Sequence, residues 1–479
     1  MVTSFTLAKT GPRVWSSDVA GSWTSVGPDV HLDWDPRTGR QGLADALRDA
    51  VRTGRLAHGS VVPSTRALAA DLGIARGTVT RVYTDLAAEG YLRTRQGAPT
   101  TVAAHGGPPA SPPRAAASEP ATRWSLRPGS PDLSAFPRTD WLAATRRVLH
   151  RAPSSAFGYT EERGARPLRE ALARYLARSR GVLADPERIV VCGGYSHAMF
   201  VLATALRERG ERDLAFENPS LWIHRDIAAA AGLTVVAVPV DADGIRVSEL
   251  DTPAVVVTPA HQYPLGMTLA PGRRSALARW ATTTGGLVVE DDYDGEFRFD
   301  REPVGALQAL APERIAYAGT ASKTLAPGLR LGWLVLPRAL VDPVRAVLTA
   351  QGWRAPVMEQ LVLAELIDSG AYDRHVRRRR TAYRTRRDRL LAALPRALSP
   401  QGISAGLQVL LTLPEAGPAE RDVLAAARRH SLTLETLGPH WHTPGPHRQG
   451  LVLGYATPAE HAFSGAVEAL SRTLADVLG

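Results

Sequence analysis

Apolar positions in residues 37–103 recur with a helical period. Leu43, Leu47 and Val51 form one stripe, closed by Gly54. Ser64 stands where it can cap a second helix with Leu68, Ala69 and Leu72 on its inner face. Gly73-Ile74-Ala75 makes a three-residue turn, and a helix over about 76–89 follows. Its apolar residues Val79, Val82, Tyr83 and Leu86 are spaced i, i+3, i+4 and i+7. Gly90 suits a helix end with positive φ. Residues 91–95 and 100–103 then flank a Gln96-Gly97-Ala98-Pro99 turn, which predicts a β-hairpin. The order of these elements predicts a winged helix-turn-helix. From Thr122 the pattern changes to short apolar runs alternating with helical segments. The runs 188–192, 234–238, 254–257, 286–289 and 314–317 predict strands buried on both faces, hence an α/β fold with a mostly parallel sheet covered by helices. The stretch 104–121 is rich in proline and alanine and predicts an extended linker. Four segments result: a tail over 1–36, a DNA-binding domain over 37–103, the linker over 104–121 and a large domain over 122–479.

Composition narrows the classes. The 479 residues are 44% hydrophobic, with 57 basic and 47 acidic side chains and a net charge of +10. That balance favours anionic partners. No uncharged apolar run reaches the roughly 18 residues a membrane span needs. The first residues show no continuous apolar signal region, and Cys192 is the only cysteine. No intramolecular disulfide and no cysteine zinc site is possible, and a reducing cytoplasm is the expected location.

On the helix over 76–89, Arg76, Thr78, Thr80 and Arg81 lie near the N-terminal end, away from the apolar stripe. Recognition helices reach base edges with that end, and arginine suits guanine edges and phosphates. Arg66 begins the preceding helix, and Arg95 sits on the hairpin. These residues predict contacts with double-stranded promoter DNA.

The basic side chains are almost all arginine; lysine occurs only at Lys9 and Lys323. A guanidinium stays protonated, whereas a desolvated lysine amine is a nucleophile. Lys323 stands in GTASKTLAPGLR, with Thr320, Ser322 and Arg330 beside it. Glu290-Asp291-Asp292-Tyr293 follows one predicted strand, and Gly193-Gly194-Tyr195-Ser196-His197 follows another and opens a helix. An amine for an aldehyde, a carboxylate for a ring nitrogen, and a helix N-terminus with hydroxyls and arginine for a phosphate match what pyridoxal 5'-phosphate needs. Arg374 to Arg389 reads as a solvated helix face. His375, His440, His442 and His447 read as structural or loop histidines, not a metal site.

The stretches PSTRALAADLGIARGTV and LAAEGYLRTRQG resemble the GntR-type winged helix, with departures at Val62, Ala75 and Ala98-Pro99. Residues 122–479 resemble fold-type I, class I/II aminotransferases. PGSPDLSAFP, GYTEERGARPLREALARYL, TPAHQYPLG, EDDYDGEFRF and GTASKTLAPGLRLGWLVLP are similar to the diagnostic stretches of the MocR subfamily of GntR regulators. That resemblance implies a small C-terminal α+β subdomain and a role for each matching residue. Lys323 would carry the cofactor as the internal aldimine, and Arg330 would bind its phosphate. Asp291 would face the pyridinium nitrogen and Tyr293 the phenolic oxygen, with Gln262 and Tyr263 at the ring. Tyr159 would reach the partner subunit's cofactor, which implies a domain-swapped homodimer. Two departures bear on substrate. Glu217-Asn218-Pro219-Ser220-Leu221 ends in leucine where the family has an aromatic, with Trp222 next to it. Val452 stands where aminotransferases carry the arginine for a substrate carboxylate, and Arg448 is near it in sequence. The segment Tyr263-Pro264-Leu265-Gly266 also lacks the enzymes' asparagine. The resemblance thus implies a regulator that senses pyridoxal phosphate or a small amine, with vitamin B6 genes as its target. The alternative is an active aminotransferase carrying a DNA-binding module.

Overall fold

The computed structural model describes residue 32 and residues 34–95, 97–103, 122–299, 304–396, 398–443 and 445–478. Two compact units emerge, Met1–Ala121 and Thr122–Gly479. Most of the tail with Lys9, the proline-rich stretch 104–121 and Gln96 of the hairpin turn lie outside the described residues.

The first unit contains α1 (Gly39–Arg52), α2 (Thr65–Leu72) and α3 (Arg76–Ala88), then β1 (Leu92–Arg93) and β2 (Thr101–Val102). The Ser64 hydroxyl accepts the Ala67 N–H at 3.1 Å, which satisfies one of the unpaired donors at the start of α2. The α3 stripe of Val79, Val82, Tyr83 and Leu86 is buried in one cluster with Leu43, Leu47, Leu68 and Leu92. The Tyr83 hydroxyl donates to the Pro63 carbonyl at 2.8 Å and ties α3 to the entry of α2. Leu92 pairs with Val102 in the antiparallel hairpin. Each hairpin strand is only two residues long, because the ladder stops before Pro99, which has no N–H to donate.

In the second unit, β3 (Trp124–Ser125), α4 (Arg138–Arg151) and α5 (Arg166–Arg180) precede the main sheet. Among the described residues that sheet has eight strands: β4 (Ile189–Cys192), β5 (Asp213–Asn218), β6 (Thr234–Asp241), β7 (Gly244–Ile245), β8 (Ala254–Val257), β9 (Leu287–Asp291), β10 (Ile315–Thr320) and β11 (Gly332–Val335). Their spatial order is β4-β11-β10-β9-β8-β5-β6-β7. The five strands from β10 to β6 are parallel, and β11 and β7 run against their neighbours. Between the strands lie α6 (Tyr195–Glu208), α7 (Trp222–Ala230) and α8 (Pro271–Thr284). β4, β8 and β10 are buried along their whole length. β6 corrects the reading of residues 234–238 as doubly buried. It lies next to the two-residue β7 at the sheet edge, and only Val238 in that run is fully covered.

α9 (Arg338–Ala350), α10 (Val357–Asp368) and α11 (Ala371–Ala392) lead to a smaller four-stranded sheet. Its strands are β12 (Ser399–Gln401), β13 (Gln408–Thr412), β15 (Glu435–Thr436) and β16 (Gly450–Gly454), with α12 (Glu420–Arg429) and β14 (Leu432–Thr433) between them and α13 (Glu460–Leu478) after them. β14 pairs with β3, so residues 124–125 are stitched to this C-terminal lobe. α11 shows how the arginine-rich stretch is used. Arg386 is buried against Asp132 and Glu460 at 2.7 Å each, while Arg377 and Arg384 face solvent.

Candidate functional site

The C-terminal ends of β5, β8, β9 and β10 open into a cavity of about 400 Å³. This is the edge where open α/β sheets present loops to ligands. β10 ends at Thr320, and the turn after it delivers Lys323 into the cavity. The turn is held from inside: the Ser322 N–H donates to the Thr320 hydroxyl at 3.1 Å. It is also held from behind. His375 of α11 lies 2.8 Å from the Thr324 carbonyl, and the Thr324 and Tyr372 hydroxyls meet at 2.7 Å. The Lys323 amine donates to the Gly129 carbonyl. Burial lowers its pKa, while the charges of Asp291 and Asp294 oppose that shift. Burial thus makes the amine easier to deprotonate than an exposed lysine.

Asp291 ends β9 on the cavity floor. Its Oδ2 lies 3.8 Å from His224 Nδ1, and its Oδ1 is buried without a hydrogen-bond partner. Burial pushes this carboxyl well above its usual range, against the pull of the nearby Tyr195 hydroxyl and the Lys323 charge. Burial and the Lys323 charge push His224 down to about 3, so it stays neutral. The Tyr195 ring packs 4.5 Å from the His224 ring, and its hydroxyl also lacks a well-formed bond. An orphaned, buried carboxylate oxygen is costly unless a donor arrives. The protonated nitrogen of a flat heteroaromatic ring meets that demand.

The third group is an anion cradle. Gly194 precedes α6 at φ 86° and ψ 175°, and a Cβ there would stand 3.6 Å from Arg330 Nη1. Arg330 itself has φ 53° and, among the described residues, no ion pair. Ser196, Thr320 and Ser322 line the same end. Free N–H groups at a helix start, three hydroxyls and an unpaired guanidinium together fit a phosphate. The donor set of this cavity therefore fits pyridoxal phosphate at its amine, ring nitrogen and phosphate.

Tyr293, Tyr263, Leu221 and Trp222 also line the cavity. The Tyr293 hydroxyl accepts from Gln408 Nε2 at 2.7 Å and lies 3.1 Å from His261 Nδ1. Trp222 is 41% exposed at the rim. Gln262 departs from expectation. Its amide donates to the Pro219 carbonyl at 2.9 Å and accepts the Leu265 N–H at 2.9 Å, so it braces two loops and does not line the cavity. Tyr159 is fully exposed and lies on a separate surface cleft with Arg147 and Arg166. Val452 is buried with Tyr263, Leu410 and Leu437, and Arg448 is absent from the lining. Sequence reasoning missed His224, Gln408, Arg127 and Glu435. His224 alone left a trace, three residues after the departure at Leu221. Among the described residues no group of histidine, cysteine or carboxylate side chains is set to hold a metal.

In the first unit, Arg66, Arg76, Thr80, Arg81 and Arg95 are exposed and Thr78 is half-buried. The Thr80 hydroxyl is occupied by the Arg76 carbonyl at 3.0 Å, so it is not free to donate outward. Three acids of the unit are claimed by other arginines: Glu89 by Arg48 at 2.7 Å, Asp49 by Arg55 at 2.5 Å and Asp85 by Arg40 at 4.0 Å. Arg66, Arg76, Arg81 and Arg95 have no ion pair among the described residues, as a phosphate-facing surface requires.

Comparison with known proteins supports both halves. Residues 129–429 match the aminotransferase class I and II family, and residues 40–102 match the gntR family of bacterial regulatory proteins. The probable rhizopine catabolism regulatory protein MocR of Rhizobium meliloti is 32% identical over 444 residues, covering 86% of this chain and 89% of that protein. The pyridoxine biosynthesis regulator PdxR of Corynebacterium glutamicum is 32% identical over 428 residues, covering 87% and 92%. Among solved structures, an archaeal alanine:glyoxylate aminotransferase superposes with a TM-score of 0.67 at 25% identity, covering 74% of this chain and 91% of that one. Among the described residues, no helix is long and apolar enough to cross a membrane.

Proposed function

Because the chain belongs to the class I and II aminotransferases and carries a gntR-type unit ahead of that fold, the fusion found in the MocR subfamily, we propose that it is a pyridoxal phosphate-dependent transcription regulator. The observation that carries this reading is one cavity lined by Lys323, Asp291 and Arg330, which fit the cofactor's aldehyde, ring nitrogen and phosphate; by resemblance, Val452 replaces the arginine with which a transaminase grips its substrate's carboxylate. When bound, the cofactor supplies an electrophilic carbon that captures primary amines. The protein's part is to bind and orient. Arg330 and the start of α6 hold the phosphate, Asp291 keeps the ring nitrogen protonated, and the Tyr293 hydroxyl serves the phenolic oxygen. Lys323, its charge disfavoured by burial, presents the amine. Arg66, Arg76 and Arg81 grip promoter DNA, and Arg95 extends the contact along the hairpin. Occupancy of the cavity changes DNA affinity by binding two conformations unequally.

A homodimer completes the reading. Tyr159, Leu142, Leu149 and Phe157 are each exposed apolar or aromatic side chains. A second copy covering them brings Tyr159 to the other subunit's cofactor. The finer proposal is control of pyridoxine-synthesis genes, supported by similarity to the Corynebacterium regulator. The Rhizobium relative is equally similar, so the comparison of promoters from B6 and amine-catabolic genes decides between them. The primary test is spectroscopic. Adding the cofactor to the full-length protein gives a visible absorption band that Lys323→Ala abolishes. A wild type that stays colourless overturns the cofactor reading.

A further inference from the structure

The cavity contains charges that the cofactor does not use. Arg330, Asp291 and Lys323 have partners in the reading above, His224 is neutral, and Glu217 is held by the Thr258 N–H and hydroxyl at 3.0 and 2.6 Å. Arg127 and Glu435 remain, both lining the cavity. Their situations differ. Glu435 is held firmly: its Oε1 accepts the Tyr263 hydroxyl at 3.1 Å and lies 3.0 Å from His440 Nε2. Its Oε2 has only Arg127 Nη2, at 3.7 Å, too long for a hydrogen bond. The Glu435 side chain is 18% exposed and that of Arg127 is 62% exposed. The carboxylate is therefore the fixed charge and the guanidinium the loose one. Burial raises the Glu435 pKa, but the bonds from His440 and Tyr263 and the Arg127 charge outweigh it and hold the group ionised.

Register places this carboxylate beside an apolar neighbour. Glu435 pairs directly with Val452 across β15 and β16, so the two side chains share a face. Val452 is buried with Tyr263, Leu410 and Leu437. Behind the cavity lining Glu435 is thus backed by apolar side chains, and its Oε2 is held only by the long Arg127 contact among the described residues. An anionic ligand group entering here meets that negative charge at close range, and the guanidinium nearest to it, Arg127, is already drawn to Glu435. An ammonium group gains a charge-assisted hydrogen bond to Oε2.

We propose that the outer half of the cavity selects a ligand with a second ammonium group, an aliphatic diamine, with Glu435 receiving the far amine while the near amine lies at Lys323. The inference rests on the cofactor reading only for the position of the near amine. The test is calorimetric titration of the cofactor-loaded, full-length protein with three ligands of similar length: putrescine, n-butylamine and γ-aminobutyrate. Putrescine is expected to bind about tenfold tighter than butylamine or better, the range of one charge-assisted hydrogen bond, with γ-aminobutyrate weakest. Glu435→Gln brings putrescine and butylamine to within about twofold of each other. Val452→Arg, which sets a guanidinium opposite Glu435, abolishes the putrescine preference and provides a second variant should the first fail to fold. The visible band is recorded first. Its absence in the wild type overturns the cofactor reading. Its presence with equal affinities for putrescine and butylamine, with γ-aminobutyrate tightest, or with a preference unchanged in both variants, overturns the diamine assignment alone.

Discussion

His375 belongs to the helix behind the cavity, yet it acts on the lysine turn through its 2.8 Å contact with the Thr324 carbonyl. Burial pushes its pKa down to about 4, outweighing the raising effect of that contact. The unfolded chain takes up a proton near the ordinary value of about 6.5, while the folded chain resists until about pH 4. This group's contribution is therefore complete above about 6.5 and lost as pH falls toward 4. His442, also lowered to about 4, and His224, lowered to about 3, act in the same sense. Glu217, Glu290 and Glu296, each raised to about 7 by burial first of all, act oppositely, since their neutral forms are favoured and stability falls as pH rises through that range. His375→Gln isolates one term of this balance. Its melting temperature is expected to drop less between about pH 7 and pH 5 than that of the wild type. Calorimetry at the two pH values checks it, and an unchanged interval shows that His375 does not titrate as described. At this scale Lys323, Asp291 and Arg330 were legible because each stands in a motif whose chemistry needs that residue type. Glu435 was not, because a lone glutamate in a two-residue strand carries no pattern; only strand register brings it beside Val452.

Elements carry these residues, and the start of α6 is the most exacting. Gly194 combines φ 86° with ψ 175°, a region open essentially to glycine alone. Gly332 of β11 approaches it so closely that a Cβ would meet the Gly194 carbonyl carbon at 2.9 Å. The two glycines let the sheet edge and the helix start press together with Arg330 above them. Gly194→Ala is expected to weaken cofactor binding roughly tenfold or more, from a backbone cost of about 1–3 kcal/mol, while helix content measured by circular dichroism is kept. Titration of the visible band checks this, and unchanged affinity removes the helix start from the phosphate site. Elements with local punctuation were legible. α2 has its Ser64 cap, α3 ends at Gly90 with φ 84°, and the apolar runs became β4, β8, β9 and β10. What was not legible depended on sheet order. β6 looks as apolar as β8, but only the two-residue β7 lies beyond it while β8 lies inside. The resemblance placed both Gln262 and Tyr263 at the ring; Tyr263 lines the cavity, whereas the bonds to Pro219 and Leu265 turn the Gln262 amide away.

At the scale of the whole molecule, the net charge of +10 is less informative than its distribution. In the first unit each pairing of Arg40, Arg48 and Arg55 removes an acid from competition for Arg66, Arg76, Arg81 and Arg95. A surface of unpaired arginines attracts the phosphate backbone of any duplex, and binding releases condensed counterions. Affinity then falls with salt, with a log–log slope of about −0.9 for each phosphate contact made. Arg76 opens α3, where a recognition helix meets the groove. If Arg76 contacts a phosphate, Arg76→Ala weakens binding to every sequence alike and flattens the salt slope by about 1 per DNA-binding unit. In the homodimer proposed here both copies lose the contact, so the slope changes by about 2. If it reads a guanine edge instead, discrimination at one base pair per half-site relaxes by about 1–3 kcal/mol. Fluorescence anisotropy over a salt series, on promoter and scrambled duplexes, separates these outcomes. A slope change near 2 also counts the subunits on the DNA, linking the first unit's chemistry to the dimer that Tyr159 implies in the second. Unchanged affinity, slope and discrimination together would remove α3 from the interface.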